Sequence, residues 1–588
     1  MCGIFGYMGT GNASPILLKG LKRLEYRGYD SAGMATLDNG LFVKKDVGKI
    51  DEINSRINFL DLPGNIGIAH TRWATHGGVT QMNAHPHLSN NKKIAVVHNG
   101  IVENYQELKK MLIKNGFSFY SETDTEIIPN LIEWEMRKGK NFLDAAKVAV
   151  KMLEGNFAIL AADADTKQII ATRYSSPLVI GVGNNEYFFA SDIPAFLEYT
   201  PNVIYLYDRD FVALDRNLKI FNLAEDKEVQ RPVQSVSWST ELADKGNFDH
   251  FMLKEISEQV ETVQKAIDQD GDSVKQISEL IKNSSGIFFV AAGSSYHACL
   301  SASYIFSKVA KLHVNVVLAS EFPNYKHFLT DKTLVIAVSQ SGETTDVLEA
   351  VKTAKEKNSK VVSILNVEGS SLHRNSDHTI LMNAGPEICV ISTKTYTSQL
   401  AILTLLAYNL AGKDEAGKQL LKYLWNLIYY LTSANTREHI KKLAERLKDA
   451  DHLFIIGRGL QYATALEAAL KIKEVSYIHA EGFSGGELKH GTIALIEPGT
   501  PCIVFVSNEN EKEILSNAME IKSRGGYIIG IAPKNNEVFD YFIKTPDVSY
   551  ANPICQIIPI QILSYQLAIL RGLDPDRPRN LAKSVTVK

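Results

Sequence analysis

A repeat in the second half of the chain most constrains its fold. "IFFVAAGSS" at 287–295 is echoed by "LFIIGRG" at 453–459, and "TLVIAVSQSGE" at 333–343 by "PCIVFVSNENE" at 501–511. "KVVSILN" at 360–366 returns as "GYIIGIA" at 526–532. The spacing is nearly kept, with 46 residues from Gly293 to Ser339 and 50 from Gly457 to Ser507. Short apolar runs followed by long helical stretches read as strand–turn–helix units of a parallel sheet. Two tandem α/β domains are therefore expected, at 253–425 and 446–573. Helical "LLKYLWNLIYYLTSANT" (420–436) bridges them, and 574–588 forms an aperiodic tail.

The first 240 residues have another texture, with short strand-like runs and turns and helical stretches near 14–24, 103–115 and 124–138. That pattern predicts α+β with mostly antiparallel sheets. Around 235–250, "SVSWSTELADKGNFDH" loses apolar periodicity, which places a linker at 241–252. At 588 residues, several domains are required in any case.

The formal net charge of -3 gives no basic footprint for nucleic acid or an anionic membrane. Five scattered cysteines without a CxxC pair argue against a disulfide framework or a zinc site and for a reducing compartment. The apolar runs near 396–412 and 556–570 are broken by Gln and Ser, so neither reads as a membrane span, and the start lacks a signal-peptide pattern. The expectation is a cytoplasmic protein with no nucleic-acid or membrane partner.

Cys2 stands directly behind the initiator, so loss of Met1 leaves one residue carrying both a thiol and an α-amine, a minimal nucleophile and base. Three further segments carry polar groups: "AHTRWATHG" (69–77), "HNG" (98–100) and "SETDTE" (121–126). Singly each has an ordinary reading. Asn99-Gly100 is a hairpin-turn pair and Asp124 a helix N-cap. Jointly, Asn99 and the Gly100 N–H can form an oxyanion hole beside a thiol, while Arg72 and Asp124 can hold a free amino acid.

With "CGIFG", "LEYRGYDSAG" (24–33), "NAHPH" (83–87) and "VVHNGIVEN", these segments resemble the glutaminase domain of N-terminal-nucleophile amidotransferases. The resemblance implies an αββα fold over 1–240 and attack by Cys2 on the side-chain amide of L-glutamine. It makes Asn99 and Gly100 the oxyanion hole, with Arg72 on the glutamine carboxylate and Asp124 on its amine. Thr75 and His76 fall on the covering loop, and Trp73 gates the exit of ammonia.

In the second half, hydroxyls crowd two strand-to-helix turns: Ser294 and Ser295, then Ser339, Gln340, Ser341 and Thr344. Such turns meet a phosphate with hydroxyls, backbone N–H groups and helix dipoles. No GxxxxGK[ST] loop occurs. The second copy has "SNENEKE" (507–513) instead, whose carboxylates repel phosphate, so the fold itself does not require the hydroxyls. That copy carries Glu467, Lys471 and Glu474 on one helical face, and His490 on a following turn.

"AGSSYHA" (292–298), "SQSGETTD" (339–346), "STKTYTSQ" (392–399), "ALKIKEVSYIHAEGFSGGELKHG" (469–491) and "RNLAKSVTV" (579–587) resemble the paired sugar-isomerase (SIS) domains of the glutamine–fructose-6-phosphate aminotransferase family. The resemblance implies D-fructose 6-phosphate as acceptor and D-glucosamine 6-phosphate as product, with no metal or other cofactor. It puts the sugar phosphate on the hydroxyl turns and the sugar against Val390, Ser392 and Ala582. Glu474 becomes the base between C1 and C2, supported by Lys471 and Glu467. Lys583 forms a Schiff base, and His490 assists ring opening from across a homodimer. Cys389 and Ile391 stand where the family pattern has Gly and Ala, and "KEISEQVE" (254–261) lacks the Pro of that pattern. Two other readings stay open: a glutaminase coupled to another keto-sugar phosphate, and a sugar-phosphate sensor.

Overall fold

The computed structural model describes residues 2–215, 217–236 and 245–586. Residues 241–244 of the expected linker lie outside them, and Phe251 already begins the helix Phe251–Ile267. The chain forms two compact units, Met1–Asp244 with Ala582–Lys588, and Lys245–Leu581. The 574–588 tail is therefore divided between them.

The first unit stacks two antiparallel sheets. One, of eight strands, has Gly3–Met8 and Ile66–Arg72 as neighbours near its middle. The other, of seven, pairs Ile94–Val102 with Gly155–Asp163. Alternation along each strand sends one set of side chains between the sheets and the other toward helices. Ile4, Ile68, Val97 and Leu160 meet in the inner layer. Phe5 and Ala69 pack on the helix Ala13–Leu24, and Val96 packs under Ile127–Arg137 and Phe142–Lys151. The layering is αββα.

Two local expectations are corrected here. Asn99-Gly100 is not a hairpin turn: the strand runs on to Val102, paired residue for residue with Gly155–Phe157. Gly100 has φ +122°, and a Cβ there would lie 1.9 Å from the Asn156 carbonyl oxygen, so only glycine fits. Asp124 is not an N-cap either, because the helix begins at Ile127 with Glu126 as its cap residue.

The second unit contains two five-stranded parallel sheets with one strand order, 2-1-3-4-5 counted within each. In the first, Asn315–Leu318 and Thr333–Ser339 flank Gly286–Ala291. In the second, His479–Ser484 and Pro501–Phe505 flank His452–Gly457. The chain reverses direction between strands 1 and 3, which creates a crevice at their carboxyl ends. The two copies are not separate bodies. One apolar core runs through Lys394–Leu410, Leu460–Ser476 and Asn552–Leu570. The 420–436 bridge is two helices, Asp414–Leu431 and Ala434–Leu447, the second capped by Ser433. The segment Ser549–Leu570 is long and apolar enough to cross a membrane, but 83% of its apolar window is buried, as in a core helix.

Candidate active sites

In the first unit, strand parity places Cys2, His70 and Asn99 on facing inner surfaces. Asn99 Nδ2 donates to the Cys2 carbonyl at 2.9 Å, and its Oδ1 lies 3.0 Å from His70 Nε2. His70 Nε2 is also 3.1 Å from the His98 carbonyl; two acceptors identify this nitrogen as the protonated one. The Cys2 thiol accepts from the Trp73 N–H at 3.3 Å and lies 3.4 Å from the Trp73 carbonyl. Burial pushes its pKa up, opposed by the Trp73 N–H and the nearby Arg72 guanidinium. A buried thiol of this kind needs a base to become a nucleophile.

Arg72 is buried and donates to the carbonyls of His76, Gly77 and Gly78, curling the 73–78 loop around itself. Asp30 accepts from the Ala74 N–H at 2.8 Å and pins the start of that loop. Thr75 is exposed, and the His76 ring lies edge-on to Tyr105 at 5.6 Å. Asp124 is buried, and its Oδ2 accepts from the Val102 N–H at 2.7 Å, two residues past Gly100. The Glu126 carboxylate binds the Tyr120 and Ser121 N–H groups and shapes the turn that holds Asp124.

In the second unit, both hydroxyl turns of the first repeat open at the strand 1/strand 3 crevice. Ser294 and Ser295 begin the helix Gly293–Ile305, and Ser339–Thr344 lead into Thr345–Lys355. Ser339 Oγ accepts from the Gly342 N–H at 3.1 Å and lies 3.4 Å from Thr344 Oγ1. Gln340 and Ser341 are half-buried beside them. In the second repeat the corresponding crevice is filled by amides: Asn510 Oδ1 accepts from the Ser507 N–H, and Asn510 Nδ2 donates to Gln461.

Glu467, Lys471 and Glu474 lie on Leu460–Ser476. They are not a solvated ladder. Glu467 and Lys471 are fully buried, with Lys471 Nζ 3.3 Å from Glu467 Oε1 and 2.7 Å from Glu474 Oε2. Despite burial, the two carboxylates hold the Lys471 pKa above its ordinary value. Burial pushes the Glu467 pKa up, but Lys471 and His297 hold it below the usual carboxylate value. Lys471 also donates to Ser294 Oγ at 3.0 Å and to the Ser392 carbonyl at 3.3 Å, tying the triad to the first hydroxyl turn and to the loop that carries Ser392. Val390 on that loop is buried and donates to the Asp576 carbonyl. His490 is exposed and ends a 3₁₀ turn, Glu487–His490, that is anchored by the buried Leu488. Ala582 and Lys583 belong to the first unit and the triad to the second.

The chain is 46% identical over 603 residues to a glutamine–fructose-6-phosphate aminotransferase (isomerizing) of Thermococcus kodakarensis, with 100% of both chains covered. The chain belongs to this aminotransferase family. A relative of the same name from Pyrococcus horikoshii is 46% identical over 600 residues, again at full coverage of both. Family models of a glutamine amidotransferase domain match residues 70–198, and of a SIS domain residues 280–408 and 446–571. Among solved structures, the C-terminal domain of the glucosamine-fructose-6-phosphate aminotransferase from Francisella tularensis matches at TM-score 0.53 and 36% identity. It covers 57% of this chain and 100% of that one.

Three residues of this aminotransferase chain carry contacts that motif reading passed over, although each lies inside a quoted motif. Asp30 pins the loop after Arg72, His70 orients Asn99, and His297 binds Glu467 at 2.8 Å. A one-turn spacing from Ser294 to His297 was the available signal for the last.

Proposed function

We propose that the chain converts D-fructose 6-phosphate and L-glutamine into D-glucosamine 6-phosphate and L-glutamate. Full-length identity to relatives named for this reaction supports it. The observation that carries the reading is chemical: one chain holds a thiol beside an amide donor in one unit and a buried carboxylate–lysine triad wired to phosphate-side hydroxyls in the other.

With Met1 removed, the Cys2 α-amine takes the thiol proton, and the thiolate attacks the glutamine side-chain amide. Asn99 Nδ2 and the Gly100 N–H stabilise the oxyanion, ammonia leaves, and water releases glutamate from the thioester. Arg72 and Asp124 hold the α-carboxylate and α-amine of glutamine. Thr75 and His76 lie on the covering loop, and Trp73 gates the exit of ammonia. In the second unit, Ser294, Ser295, Ser339, Gln340, Ser341 and Thr344 bind the sugar phosphate. His490 from a second copy of the chain opens the ring, and Lys583 activates the C2 ketone. Lys583 forms a Schiff base with that ketone, expelling the C2 oxygen as water, and ammonia then displaces the lysine amine to leave a C2 imine. Glu474 removes a C1 proton and returns it to C2, giving the 2-amino aldose. Val390, Ser392 and Ala582 line the sugar pocket.

Ammonia in bulk water is protonated at neutral pH and then has no lone pair for attack. Direct transfer between the two sites is therefore part of the reading. So are a homodimer and a cytoplasmic location, the latter consistent with five free cysteines.

Incubation with both substrates and assay for amino-sugar phosphate tests the proposal. Glutamate release without amino sugar would refute it.

A further inference from the structure

His297 reaches out of the first repeat into the second. It stands one helical turn after Ser294 on Gly293–Ile305, and its Nδ1 donates to Glu467 Oε2 at 2.8 Å. Its side chain is 15% exposed, whereas Glu467 and Lys471 are fully buried. The charged and titratable groups facing this pair come from three helices. Leu460–Ser476 brings Glu467, Lys471 and Glu474, Lys394–Leu410 brings the Tyr396 phenol, and its own helix brings Tyr296. The Ser294 hydroxyl binds both Lys471 and Glu467.

Within the triad, two carboxylates compete for one ammonium. Lys471 serves Glu474 at 2.7 Å and Glu467 at the longer 3.3 Å. The division is stable because Glu467 has donors other than Lys471: the His297 ring and the Ser294 hydroxyl, both on the helix Gly293–Ile305 of the other domain. A buried carboxylate short of donors pulls the nearest cation toward itself.

We propose that His297 is a positioning residue for Glu474: by donating to Glu467 it keeps the Lys471 ammonium on Glu474, and so fixes the orientation and basicity of that carboxylate. The inference rests on the reading of Glu474 as the C1/C2 base. His297 makes no bond to the sugar and takes no proton from it.

The experiment compares full-length H297F, which keeps a ring without a donor, with H297N, which keeps a donor without a titratable ring. The rate of amino-sugar formation is followed against pH and sugar-phosphate concentration. H297F should lower kcat by about tenfold to a hundredfold, the worth of a hydrogen bond to a buried charge. KM for the sugar phosphate should change by no more than about twofold, since no substrate contact is lost. Glu474, with a weaker hold on Lys471, takes up a proton more readily, so the acid limb of kcat should move to higher pH. H297N should stay within about threefold of the parent and keep its acid limb, because the donor remains.

Parental kcat and limb in H297F would overturn the proposal, as would equal losses in H297F and H297N with an unmoved limb. If thermal unfolding shows that H297F does not fold, H297N decides alone: parental behaviour supports the proposal, and a loss beyond about tenfold overturns it. E474Q, assayed in parallel, separates the two claims. An active E474Q removes the base reading itself, whereas an inactive E474Q beside a normal H297F removes only the role of His297.

Discussion

Asn99 donates its side-chain amide to the Cys2 carbonyl at 2.9 Å, while His70 holds the oxygen end of the same amide at 3.0 Å. A flipped amide would lose both bonds, so the nitrogen is locked on the Cys2 side, where the proposed oxyanion would form. Loss of one oxyanion donor costs about 10²–10³ in kcat. N99A should show that loss in glutamine hydrolysis with little change in KM, measured by steady-state glutamate release.

The Cys2 α-amine exists only once Met1 is gone. C2A, or an N-terminal extension that keeps Cys2 internal, should abolish glutamine hydrolysis and leave fructose 6-phosphate binding unchanged by calorimetry. Loss of both would contradict the assignment of the two steps to separate units.

Four buried histidines lie around the thiol site: His70, His85, His87 and His98. The His70 and His85 rings stack at 4.1 Å, and Thr125 Oγ1 lies within 3.0 Å of both His85 Nε2 and His98 Nδ1. Burial lowers all four pKa values from the ordinary 6.5, that of His70 to about 3. The unfolded chain therefore binds more protons than the folded one below pH 6.5. Their contribution to stability is full above that pH and is lost as pH falls toward the folded-state values. Each adds a slope of up to about 1.4 kcal/mol per pH unit. Urea midpoints of the first unit's transition should fall steeply between pH 6.5 and pH 5; a flat profile would contradict neutral burial.

Lys471 is surrounded by charges that it alone neutralises within its helix. Removing one partner of a buried ion pair costs about 3–5 kcal/mol because the other charge remains. K471M should destabilise the second unit by that order in denaturant unfolding, and it should stop amino-sugar formation while glutamine hydrolysis continues. A parental midpoint would show that the triad is more hydrated than its burial indicates.

The strand–turn–helix repeat made the parallel sheets and their hydroxyl turns legible, because period and spacing are local properties. Asn99-Gly100 shows where that locality ends. As a dipeptide it is a turn signal, but pairing with Gly155–Asp163 overrides it. Asp124 sits where a helix cap belongs, yet Glu126 gathers the Tyr120 and Ser121 N–H groups and delays the helix to Ile127. The bond from His297 to Glu467 joins residues 170 apart in sequence, and no local pattern announces a partner that only packing of two domains brings near. The burial of Lys471 was equally hidden, since an i, i+4 Glu–Lys spacing looks the same on a solvated face.

The most direct test follows nitrogen. Glutamine labelled with ¹⁵N in the side-chain amide is supplied with fructose 6-phosphate and an excess of unlabelled ammonium, and the product is analysed by mass spectrometry. The account predicts glucosamine 6-phosphate carrying ¹⁵N undiluted by the ammonium, formed one for one with glutamate. Glutamate with no amino sugar, or amino sugar carrying the unlabelled nitrogen, would contradict it.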